Sequence, residues 1–121
     1  MKQIFLVFVG GGTGSIARYL MSKYLNTATT NIPFGTFTIN ILGSFLIGII
    51  MGVAFKNSTF SQHTILLLAT GFCGGFTTFS TFAYENHMLL KSGDFINFFI
   101  YTFGSLVLAL FFVFLGIFIT K

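Results

Sequence analysis

Charge is what this sequence has least of. Only 7% of its 121 residues are Asp, Glu, Lys or Arg, against roughly a quarter in a soluble domain. The acids number two, Glu85 and Asp94. The six Lys and Arg are scattered singly, so the formal net charge of +4 builds no phosphate-binding patch. Nucleic acid is therefore not an expected partner. A single cysteine, Cys73, excludes an intrachain disulfide and suggests no metal cluster. His63 and His87 fall near expected helix ends and read as interfacial residues. No nucleophile–base arrangement can be picked out, and an enzyme is not expected.

Apolar surface is what the sequence has instead: 55% of residues are hydrophobic and 19% aromatic. A chain this short buries only part of the surface its unfolded form exposes. The bilayer is its natural solvent, and one membrane domain over residues 1–121 is expected. Met1-Lys2 ahead of Ile4-Phe5-Leu6-Val7-Phe8-Val9 has the look of a signal peptide. Glycines interrupt that short run at once, and Arg18 follows where a cleavage region would lie, so it reads as a retained first span.

A spanning helix needs about 20 mostly apolar residues. Four such segments are predicted, at about 4–25, 34–55, 64–90 and 95–120. The second and fourth carry no charge, the first holds Arg18 and Lys23 near its end, and the third holds Glu85. Short polar loops at 26–31, 56–62 and 91–94 separate them. Pro33 stands at a favourable helix start, and Asp94 is placed to cap the last helix. Four spans put both termini on one side. Lys2, Lys56 and Lys121 then face Arg18, Lys23 and Lys91, three against three. Orientation normally follows a Lys/Arg excess on the cytoplasmic side. Its absence fits either orientation by weak cues or a partner, or dual topology with copies pairing antiparallel.

The polar residues fall into register. Thr36, Asn40, Ser44, Gly48 and Gly52 recur every fourth residue, which keeps them on one helix face. Ser44, Gly48 and Gly52 read as a small-residue packing face. Asn40 is a buried amide, costly in lipid unless paired, and faces either another helix or a watery path. Asn97, Tyr101 and Ser105 repeat the spacing in the fourth segment, with Ala109 next. Gly10, Gly14 and Arg18 share a face of the first, and Arg18 is near enough to the end to snorkel. The run Gly10-Gly11-Gly12-Thr13-Gly14 is not a phosphate loop, because no lysine follows in place and no strand precedes it.

The third segment contains Gly71-Phe72-Cys73-Gly74-Gly75-Phe76-Thr77-Thr78-Phe79-Ser80-Thr81-Phe82. Adjacent glycines followed by β-branched hydroxyl residues disfavour a continuous helix. The outcome is either a kink or a break, and breaks at membrane depth need protein or water to satisfy the freed backbone. Phe79 and Phe82 are three apart, and a phenyl ring has a positive edge that can face a small anion.

Gly71-x-x-Gly74-Gly75-x-Thr77-Thr78-Phe79-Ser80-Thr81-Phe82 resembles the signature of the Fluc (CrcB) fluoride channels. Gly11-x-x-Gly14-x-x-x-Arg18-Tyr19 and Gly35-Thr36-Phe37-x-x-Asn40-x-x-Gly43 are similar to further family motifs. The resemblance implies an all-α integral membrane protein of four transmembrane helices with a broken third helix. It further implies an antiparallel, dual-topology homodimer in a bacterial inner membrane. Fluoride would pass along Asn40, Phe79, Phe82, Ser80, Thr81, Tyr101 and Ser105, with Arg18, Thr36 and Glu85 near a vestibule or the pore. The backbone carbonyls of Gly74 and Thr77 would hold a structural Na⁺ at the dimer centre. Ala109 departs from members that continue the fourth-helix polar track. Two rival readings remain. A small proton-coupled multidrug exporter would need a membrane-embedded acid in the first helix, which has none. A non-transporting assembly subunit would not need the aligned polar residues.

Overall fold

The computed structural model describes residues 1–26, 31–56 and 60–121. The expected loops at 26–31 and 56–62 therefore lie in part outside the described residues. Among the described residues, four helical stretches are long and apolar enough to cross a membrane: Lys2–Leu25, Phe34–Lys56, Gln62–Lys91 and Phe95–Ile119. Their mean hydropathies are 1.4, 2.1, 1.5 and 2.6, so even the first and third, which carry charges, remain apolar overall. No strand occurs among the described residues. At 1.5 Å per residue, the shortest is about 35 Å long, enough for a hydrocarbon core of about 30 Å.

The boundaries differ from the expected ones by one or two residues. Lys2, Lys56 and Lys91 are drawn into the terminal turns. At the last two, a cation meets the negative end of the helix dipole and its stem can reach the headgroups. Asn26 ends the first helix, and its Oδ1 accepts from Gly35 N–H at 2.7 Å. One side chain thus joins the end of the first helix to the start of the second. Asp94 caps the fourth helix as expected, accepting from the Asn97 amide at 3.4 Å and its side chain at 2.7 Å. The 91–94 turn closes as a Schellman motif. Gly93 takes a φ of +79°, Gly93 N–H reaches Leu90 O, and Asp94 N–H reaches Leu89 O.

Two helix pairs pack backbone against backbone. A Cβ on Gly10 or Gly14 of the first helix would run into the third-span backbone, at Leu67 and Phe72 or at Phe72 and Phe76. Gly48 of the second helix sits against Val113 of the fourth, and Gly116 against Phe45, Gly48 and Ile49. Without a hydrophobic drive between helices in lipid, such close approach is a main source of association.

The third span is irregular. Gln62–Ile65 is α-helical, Leu66–Cys73 widens into a π-helix, and Gly74–Phe76 returns to α. Residues 77–79 are not helical, and Thr77 is extended at φ −82°, ψ 159°. Ser80–Lys91 forms the second half. Phe82, Leu89 and Tyr101 make a small core where that half meets the fourth helix.

Candidate functional site

Residues 77–79 interrupt the helical hydrogen-bond ladder, and other side chains take up the groups released. Thr78 N–H, which an unbroken helix would give to Gly74 O, donates to Asn40 Oδ1 at 2.9 Å. Asn40 Nδ2 donates back to Thr78 O at 3.1 Å. Thr81 N–H, the helical donor for Thr77 O, turns to Thr78 Oγ1 at 3.3 Å. Gly75 O receives Arg18 Nε at 3.0 Å and Ser15 Oγ at 3.4 Å. Arg18 therefore departs from the snorkelling expectation. An orphaned carbonyl lies within its reach, and a guanidinium N–H is the strongest donor available to it.

Beside the break lies an open cleft of about 350 Å³. Asn40, Ser44, Gly74, Thr77, Phe79, Phe82, Ser105 and Ala109 are among the residues on its wall, and none of the residues lining it is charged. Phe79 and Phe82 face each other at 5.9 Å between ring centroids. Their surroundings differ: Phe82 is 8% exposed and Phe79 75%. Ser105 Oγ is buried and has no hydrogen-bond partner among the described residues.

A second polar group lies behind Phe82, whose ring sits 5.1 Å from that of Tyr101. Thr36 Oγ1 donates to Glu85 Oε2 and Tyr101 OH to Glu85 Oε1, both at 2.9 Å. Glu85 comes late in its span yet turns inward, where two hydroxyls offset the cost of its partial burial. Alongside, Thr102 Oγ1 donates to Asn86 Oδ1 at 2.7 Å.

The structure thus gathers Asn40, Phe79, Phe82, Ser105, Gly74 and Thr77 around one cleft. It sets Thr36, Glu85 and Tyr101 together as a second cluster. Ser80 and Thr81 begin the helix after the break and are not on the cleft wall. Sequence reasoning missed Ser15, Thr78 and Asn86 as polar anchors, and read Ser44 only as packing although it faces the cleft. The four-residue step from Asn40 to Ser44 was the available signal. Asn97 shares the spacing of Tyr101 and Ser105 but serves the helix cap.

Fold and site together define a small four-span membrane protein whose interrupted helix borders an uncharged, hydroxyl-bearing cleft. Residues 5–117 match the family described as CrcB-like protein, Camphor Resistance (CrcB). The chain belongs to that family. It is 52% identical over 122 residues to the fluoride-specific ion channel FluC of Gloeothece citriformis (strain PCC 7424), covering 100% of this chain and 98% of the relative. It is 47% identical to the FluC of Phocaeicola vulgatus, with 100% of each chain covered. It is 40% identical to that of Pyrococcus furiosus, over 96% of this chain and 94% of the relative.

Proposed function

We propose that this chain is a fluoride-selective channel that lets fluoride leave the cytoplasm passively and so protects against fluoride toxicity. The observation that carries the reading is Ser105: a buried hydroxyl with no partner among the described residues, on the wall of a cleft without fixed charge. A buried donor without an acceptor is costly, and a small anion offsets that cost. Fluoride holds its water tightly, so a pore must replace that shell with donors. Hydroxyls, the second N–H of the Asn40 amide and the ring edges of Phe79 and Phe82 are neutral donors of this kind. Rings of fixed positive charge would hold the ion too firmly for fast release. Ser80, Thr81 and Tyr101 extend the polar path, with Arg18, Thr36 and Glu85 near its approaches. The relatives' name, fluoride-specific ion channel, supports the same ion.

The working unit in this reading is an antiparallel, dual-topology homodimer in the bacterial inner membrane, crossing at the broken third helices. Phe79, 75% exposed in a single chain, gains a wall from the second copy. Gly74 O and Thr77 O, whose helical donors turn elsewhere, fit a monovalent cation better than a divalent one, since no carboxylate lines the cleft. Bound there, Na⁺ would offset the cost of leaving those carbonyls unpaired in lipid. The function is tested in liposomes loaded with fluoride or chloride. Purified protein should dissipate a fluoride gradient with no proton or Na⁺ gradient imposed. Equal chloride flux, or flux only under a proton gradient, overturns it.

A further inference from the structure

The two ends of the break are held by different helices: Asn40 of the second holds Thr78, and Arg18 of the first holds Gly75. Gly75 lies between Gly74 and the extended Thr77. Its carbonyl is fixed from outside by Arg18 Nε at 3.0 Å and Ser15 Oγ at 3.4 Å. The same residue presses on the first helix, where a Cβ on Gly75 would meet the Gly11 backbone. Gly74 has no such neighbour; a Cβ there would find only Ala69 O, at 3.9 Å. The first helix therefore grips one peptide group of the break and leaves the preceding residue facing outward. Arg18 Nε is the atom that makes this contact. Its fixed bond is to a backbone oxygen, a use that needs the N–H at Nε and not the charge.

We propose that Arg18, with Ser15, is a positioning residue for the cation site: by binding Gly75 O it directs that carbonyl toward the first helix and presents the carbonyls of Gly74 and Thr77 to the ion. This rests on the sodium reading given above. An ion caged by backbone oxygens is sensitive to their direction, because no side chain can adjust to compensate. In this role Arg18 acts through the Gly75 peptide.

Two substitutions separate the N–H from the charge. Glutamine has the same number of bonds to its amide nitrogen as arginine has to Nε, so Arg18→Gln keeps a donor in place and removes the charge. Arg18→Met keeps the apolar stem and removes both. The readout is the Na⁺ concentration giving half-maximal stabilisation of the purified dimer, titrated against a large organic cation and followed by thermal unfolding. The wild type is expected to be stabilised by Na⁺ through mass action. Arg18→Gln should stay within about threefold of the wild-type midpoint. Arg18→Met should need up to about tenfold more Na⁺, the upper end of the net value of one ordinary hydrogen bond. Ser15→Ala, a milder change, should raise the midpoint about two- to threefold, and it serves if Arg18→Met fails to fold. A wild type indifferent to Na⁺ overturns the sodium reading and this proposal with it. A Na⁺-dependent wild type matched by Arg18→Met, or by Ser15→Ala where Arg18→Met does not fold, overturns the positioning role alone. Equal loss in Arg18→Gln and Arg18→Met also overturns it, and assigns the effect to charge.

Discussion

Asn40 binds both backbone groups of Thr78, its Oδ1 accepting and its Nδ2 donating. Removing that side chain strands an N–H and a carbonyl in an apolar setting, at about 1–3 kcal/mol each. Asn40→Ala should therefore lower the unfolding temperature of the detergent-solubilised protein. Asn40→Asp should be worse, because it turns an acceptor toward Thr78 O where a donor stood. Thermal unfolding of both variants checks this; melting curves matching the wild type would show that the clamp contributes nothing. The sequence made Asn40 conspicuous, since an unpaired amide is expensive in lipid. It could not name the partner, which lies 38 residues away. Four-residue periodicity tells which face a side chain occupies and is silent about what stands opposite. The same limit applies to Arg18, where spacing predicted a snorkelling cation and the broken ladder of another span supplied a carbonyl instead.

At the scale of the element, the third span shows how two adjacent glycines come to differ. Gly74 and Gly75 read alike in sequence, and either could interrupt a helix. In the fold, Gly75 meets the Gly11 backbone while Gly74 faces open space. Gly75→Ala should force the first helix away from the third and destabilise the protein by about 1–3 kcal/mol, the usual cost of overpacking. Gly74→Ala should leave the subunit as stable as wild type. Chemical denaturation in detergent, with cross-linking scored in parallel, tests the pair. Equal destabilisation of the subunit by the two would contradict the geometry. Loss of cross-linked dimer in Gly74→Ala alone would locate a second copy at that face. The four spans themselves were legible from hydropathy, because length and composition settle what can cross a bilayer. The widening at Leu66–Cys73 was not. Nothing in the local residues of that apolar run distinguishes a π-helical turn from an α-helical one, and the close glycine contacts with the first helix are tertiary.

For the whole molecule, the balance of three basic residues against three bears on how it enters the membrane. A Cys73→Ala background with Ser92→Cys places one thiol in the exposed 91–94 turn. If copies insert both ways, a membrane-impermeant thiol reagent applied from either side should label about half the protein. Labelling from one side only would reject dual topology. The link between Arg18 and Gly75 spans 57 residues of chain, and it has a consequence for synthesis. At about 5–20 residues per second, the first helix waits about 3–11 seconds before the ribosome has made its acceptor. Through that interval the Gly75 carbonyl does not yet exist, and a guanidinium near a helix end can snorkel to the headgroups. The first helix thus enters the bilayer as a provisional span, anchored near the surface by the residue that later turns inward to lock it against the third.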